Sequence, residues 1–197
     1  MLWMITDFSK SLDLIEVEKT VAAALKSGTE MVSLRNNGKY DQSQIDQLAQ
    51  DLILRFPEKK IFIHNPDNRS LEKFSCYHFS ERFLEKAVEA KKHSKNRTIA
   101  VSVHSIKEAE RAFESGLDYV FYSPVYHPIS KPDDKRETVE PIKMKNLYLL
   151  GGINRMRGRA LIERGFCNLA GISFFYGETA NDDIAELSQL IMEKNNE

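Results

Sequence analysis

One join occurs three times in this chain. Lys26-Ser27-Gly28 is followed by Thr29-Glu30-Met31-Val32, Glu114-Ser115-Gly116 by Leu117-Asp118-Tyr119-Val120, and Glu163-Arg164-Gly165 by Phe166-Cys167-Asn168-Leu169. Apolar residues at three- and four-residue spacing precede each glycine, which suits the left-handed position just past a helix end. A short apolar run then starts about three residues later. This repeated helix–glycine–strand join is the mark of an alternating α/β architecture.

Eight short apolar runs fit strands: Leu2–Ile5, Met31–Leu34, Ile61–Ile63, Cys76–Phe79, Ile99–Val103, Tyr119–Tyr122, Leu147–Leu150 and Leu169–Ile172. Several are apolar at nearly every position, as strands covered on both faces are. Helical patterns lie between them over 17–26, 42–55, 81–92, 106–114, 156–164 and 182–192, with Ser105 as the cap of the fourth and Asn181 or Asp182 as the cap of the last. Eight strands alternating with helices predict a compact (β/α)8 TIM barrel, one domain over 1–197, near the small end of that fold's size range. Two connections are reduced: Leu71 to Ser75 allows barely one turn, and Pro141 shortens or breaks the helix before the seventh strand. An open dinucleotide-binding sheet has no support, because no glycine-rich turn follows the first strand.

Composition removes other classes. Twenty-eight Lys and Arg against 29 Asp and Glu argue against a nucleic-acid or membrane-surface binder, and no apolar run has transmembrane length. The N-terminal stretch lacks a signal-peptide pattern. Cys76 and Cys167 lie in or near apolar segments and read as reduced and buried, in a cytoplasmic protein.

In such a barrel, functional groups stand at the C-terminal ends of the strands. Those positions hold Thr6, Asp7, Arg35, His64, Asn65, His78, Ser102, His104, Ser123, Gly151, Gly152 and Ser173, and a long loop from Ser123 to Arg136 adds His127, Ser130 and Lys131. Leu149-Leu150-Gly151-Gly152 and Ala170-Gly171-Ile172-Ser173 both end apolar runs in small residues before a helix-like segment, which suggests one shared phosphate site. Arg35 suits a phosphate or a structural ion pair equally. The histidines are candidate acids or bases, or hydrogen-bonded structural residues.

These segments resemble a known family. Val101-Ser102-Val103-His104-Ser105 with Lys107-Glu108-Ala109, then Gly116-Leu117-Asp118-Tyr119-Val120, Ser123-Pro124-Val125-Tyr126-His127-Pro128-Ile129-Ser130-Lys131, Gly151-Gly152-Ile153-Asn154 and Ile172-Ser173 are similar, in order, to motifs of the thiamine-phosphate synthases. The resemblance implies a transferase of thiamine biosynthesis that joins hydroxymethylpyrimidine diphosphate to thiazole phosphate and releases pyrophosphate, with Mg2+ holding the diphosphate. It places Arg35, Asn65, Ser102 and Lys131 around the pyrimidine diphosphate, with Arg35, Lys131 and Ser102 catalytic. It places Ser130, Gly151, Gly152, Ile172 and Ser173 around the thiazole phosphate. A homodimer is compatible with it.

The chain departs from the family pattern at the metal. The family's Q-L-R-x-K is Ser33-Leu34-Arg35-Asn36-Asn37 here, with Lys39 as a substitute if the loop folds back. Its N-D is Asn65-Pro66, which leaves Asp67, one residue displaced, as a candidate ligand. Its second magnesium aspartate, after the fourth strand, falls near Phe83, where Ser80-Glu81 stands in that loop and Glu81 is the candidate. A metal-independent thiazole tautomerase of the same fold, or a diverged non-catalytic binder of a phosphorylated metabolite, are the alternatives.

Overall fold

A computed structural model describes residues 1–11, 13–127 and 137–197. Eight parallel strands close into a barrel in chain order. They are β1 (Leu2–Ile5), β2 (Met31–Leu34), β3 (Lys60–His64), β4 (Cys76–Phe79), β5 (Thr98–Val103), β6 (Tyr119–Tyr122), β7 (Leu147–Leu149) and β8 (Leu169–Gly171), and β8 returns to β1 with Trp3 against Ala170. The helices among the described residues are α1 (Leu14–Lys26), α2 (Gln42–Arg55), α3 (Ser70–Lys73), α4 (Leu84–His93), α5 (Ile106–Glu114), α6 (Arg155–Glu163) and α7 (Ala180–Asn196).

The glycine joins form as the sequence predicts. Gly28, Gly116 and Gly165 have φ of 119°, 82° and 82°, each just past a helix. Ser105 caps α5 by accepting from the Glu108 amide. Helix α3 has four residues, and 137–146 before β7 contains no helix, so both reduced connections are seen as far as the described residues reach. Two expectations change. Helix α7 starts earlier, behind Thr179, so Asn181 and Asp182 sit in its first turn and do not cap it. Cys76 and Cys167 are free thiols but only half-buried, because each lies where a loop meets a strand at the barrel's lower rim.

The core has two layers. Leu, Val and Ala side chains such as Val21, Ala49, Val101 and Leu161 fill the space between strands and helices. Inside the barrel, Trp3, Ile5, Met31, Phe62, Ala100, Phe121, Tyr148 and Ala170 pack together, with the Trp3 ring 4.4 Å from Phe62 and 4.6 Å from Phe121. Side chains alternate along a strand, so each inward series continues in steps of two toward the mouth. Phe62 leads to His64, Ala100 to Ser102 and His104, Phe121 to Ser123, Tyr148 to Leu150, and Ala170 to Ile172. The aromatic plug therefore closes the lower barrel, and polar residues take its place above.

Candidate active site

The mouth encloses a cavity of about 500 Å³. Its wall includes Asp7, Arg35, His64, Asn65, Ser80, Ser102, His104, Ser123, Gly151, Gly152, Ile172 and Ser173. Reading strand ends thus brings together Arg35, Asn65, Ser102, Gly151, Gly152, Ile172 and Ser173. Ser130 and Lys131 lie outside the described residues.

Along the β2–β5 arc, Arg35, Asn65 and Ser102 offer hydrogen-bond donors to the cavity, beside the carboxylate of Glu81. Arg35 is held by its own backbone N–H, which donates to Thr6 Oγ1 at 2.7 Å, and by its Nε, which donates to the Thr6 carbonyl at 3.2 Å. Its guanidinium stands 3.6 Å from Asp7, so the structural ion pair and the cavity position are both realised. Burial pulls the Arg35 guanidinium below its ordinary value and Asp7 opposes that pull; an arginine stays charged regardless. Asn65 adopts φ 47°, and its Oδ1 accepts from the Ser80 amide at 2.9 Å and from Ser80 Oγ at 3.2 Å. This leaves its NH2 group for the cavity.

The histidines separate into different roles. His64 lines the cavity, and burial, with the charges of Arg35 and Arg82 adding, pushes its pKa down to about 3. It is a neutral imidazole at pH 7 and not a cationic phosphate binder. His78 is not at the mouth: it is 1% exposed, inside the barrel, with Nδ1 3.0 Å from Ser33 Oγ and Nε2 2.9 Å from Ser102 Oγ. His104 donates to the Ser123 carbonyl through Nδ1 at 2.7 Å, and its Nε2 stands 3.3 Å from Glu81. His127 is exposed, away from the cavity wall.

On the β6–β8 arc the glycines act first on their own chain. Gly151 has φ 105° and Gly152 φ 59°; a Cβ on Gly151 would meet Pro124 Cα at 2.7 Å, and one on Gly152 the Tyr126 carbonyl at 2.6 Å. The close approach expected of a ligand is made by segment 124–127, which hydrogen-bonds through Val125 to Leu150 and through Tyr126 to Gly151. Arg157 fastens the same corner by donating to the Gly152 carbonyl at 2.7 Å, and Asn154 caps α6. Among the described residues, nothing accepts from the amides of Gly152, Ile153 or Ser173. Backbone N–H groups at a cavity wall are suited to an anion.

Among the described residues, the donor set does not fit a magnesium ion. Asp67 is exposed, lies off the cavity wall, and accepts from the Ser70 amide at 2.8 Å at the start of α3. Glu81 does line the cavity but pairs with His104. The Asn65 oxygen that a cation would need is held by Ser80. No cluster of three or more His, Cys, Asp or Glu suited to a metal occurs among the described residues. Lys39 folds back, yet onto the carbonyls of Phe8 at 3.0 Å and Ser11 at 2.5 Å and not into the cavity.

Lys10, Asn37 and Arg82 also reach the cavity, and strand-end reading missed them. All three come from loops or short turns, where no two-residue period points inward; only their closeness in sequence to Asp7, Arg35 and Glu81 hints at it.

A closed eight-stranded parallel barrel with a polar cavity at its mouth defines a (β/α)8 TIM-barrel protein. The chain belongs to the thiamine monophosphate synthase family, whose model matches residues 2–175. It is 25% identical over 205 residues to thiamine-phosphate synthase of Clostridium acetobutylicum, covering 98% of this chain and 95% of that one. It is 27% identical over 183 residues to that of Methanosarcina mazei, covering 87% and 74%. The thiamine phosphate pyrophosphorylase structure from Pyrococcus furiosus superposes with a TM-score of 0.75 at 21% identity, covering 98% of this chain and 96% of that one, which is a likeness of fold. No helix among the described residues is long and apolar enough to cross a membrane.

Proposed function

We propose that this chain is a transferase that joins hydroxymethylpyrimidine diphosphate to thiazole phosphate and releases pyrophosphate. The observation that carries this reading is the cavity's division into two arcs: donors from Arg35, Asn65 and Ser102 on one, and on the other the amides of Gly152, Ile153 and Ser173, which have no acceptor among the described residues. Two anionic substrates need two such surfaces in one chamber. Departure of the diphosphate builds negative charge on its oxygens, so pre-oriented donors at that end lower the barrier. Arg35 supplies a full charge there, and Arg82 and Lys10 add two more from the rim. The neutral His64 contributes a hydrogen-bonding ring without repelling a substrate cation. Lys131 and Ser130 belong to this proposal through the family resemblance.

The ligands among the described residues do not fit the Mg2+ that the family resemblance implies, and no step is routed through it. The deciding assay incubates both substrates with the protein, once with magnesium and once with a chelator, and measures thiamine phosphate and pyrophosphate. Product in either condition supports the reading. Neither product in both conditions overturns it and leaves a binder of phosphorylated metabolites.

A further inference from the structure

Beneath the cavity, Trp3, Ser33, His78 and Ser102 form one hydrogen-bonded line across the barrel interior. Trp3 Nε1 is 2.9 Å from Ser33 Oγ, and an indole N–H can only donate. Ser33 Oγ therefore already accepts one bond and has a single proton of its own to place. Ser33 is 0% exposed, and the remaining neighbour of its hydroxyl among the described residues is His78 Nδ1 at 3.0 Å. Were Nδ1 protonated, two donors would point at Ser33 and its own proton would be buried without an acceptor, which costs more than an ordinary hydrogen bond returns. Nδ1 is therefore the acceptor, and the neutral ring carries its proton on Nε2. That N–H donates to Ser102 Oγ at 2.9 Å. Burial, with His64 and Arg35 nearby, holds His78 neutral well below its usual range, in agreement with this tautomer.

Resting on the reading above, we infer that His78 is a positioning residue that fixes the Ser102 hydroxyl as a hydrogen-bond donor into the cavity. Ser102 lines the cavity, and no other described residue bonds its hydroxyl. Its oxygen accepts the hydrogen bond from His78 Nε2–H, so its own O–H is left for the cavity. That O–H is offered to a ligand atom with a lone pair, such as an oxygen of the diphosphate or an unprotonated ring nitrogen.

The tautomer is read directly from 15N spectra of the imidazole in the intact protein. An Nε2–H form at pH 7 is expected; an Nδ1–H form or an imidazolium overturns the inference. The action through Ser102 is read by calorimetry with hydroxymethylpyrimidine diphosphate and with inorganic pyrophosphate. Ser102→Ala and His78→Gln should each weaken binding by about tenfold or more, and the double variant should be no weaker than the poorer single. Losses that multiply, or no loss in Ser102→Ala, overturn it. A loss with both ligands places a diphosphate oxygen at Ser102, and a loss with the pyrimidine ligand alone places a ring nitrogen there. If the wild-type protein binds neither ligand, the functional reading falls, and the tautomer spectrum still decides this inference. It does so too if His78→Gln fails to fold.

Discussion

Asn65 gives its side-chain oxygen to the Ser80 amide at 2.9 Å, and this one bond fixes which end of the amide the cavity meets. The NH2 group is left for the cavity, and the oxygen is engaged by Ser80. Asn65→Asp keeps the size and tolerates the left-handed φ of 47°. It exchanges a donor for a negative charge. Affinity for pyrophosphate in the presence of a chelator should fall about tenfold or more, as expected for a hydrogen bond to a charged group. Calorimetry at fixed ionic strength measures it, and unchanged affinity would remove Asn65 from the diphosphate arc.

The two glycine-containing corners make separable predictions. Ser173→Asp places a carboxylate where the thiazole phosphate is proposed to bind, and binding of that phosphate should vanish with little change in melting temperature. Gly152→Ala acts on the fold, because its Cβ would press on the Tyr126 and His127 carbonyls at 2.6 and 2.7 Å from a left-handed backbone. It should lose about 1–3 kcal/mol of stability as well as affinity. Parallel denaturation and binding measurements separate the two; a Ser173→Asp protein that still binds the phosphate contradicts the cradle.

The parts of this molecule that were legible in the sequence are those with local causes. The glycines at 28, 116 and 165 end helices by backbone geometry alone, and strand bounds agree to within a residue because apolar runs stop where polar mouths begin. Arg35, Ser102 and Ile172 were found because inward positions recur by two. His78 was read as a strand-end residue, yet its partners Ser33 and Ser102 come from β2 and β5, and only closure of the barrel brings them together. Arg82 and Lys10 reach the cavity from short turns with no period, and the Gly151–Gly152 corner proved to be shaped by segment 124–127 before any ligand.

Stability should depend on pH through the two interior histidines. Folded His64 titrates at about 3, and burial holds His78 well below its usual range, whereas both would titrate near 6.5 in the unfolded chain. Above about 6.5 both states are neutral and stability is flat in these groups. Below it the unfolded chain binds protons that the folded chain refuses, so stability falls as pH drops, toward about 3 for His64. The slope is at most ~1.4 kcal/mol per pH unit for each histidine. Urea denaturation between pH 7 and 5 should show the decline, and His64→Asn should make it shallower. A flat profile would mean that these rings are protonated in the native state.

Asp67 separates a structural carboxylate from a metal ligand. It accepts from the Ser70 amide at 2.8 Å and lies off the cavity wall, which is the position of a group that holds the first turn of α3. An asparagine accepts that bond equally well, so Asp67→Asn should leave stability nearly unchanged, while Asp67→Ala should cost roughly 1 kcal/mol. Neither should alter how turnover responds to magnesium, because the carboxylate is directed at its own helix. A magnesium titration of the two variants beside the wild-type protein measures this. A shifted magnesium midpoint in Asp67→Asn, with stability intact, would return Asp67 to the metal and require α3 to release it when substrate binds.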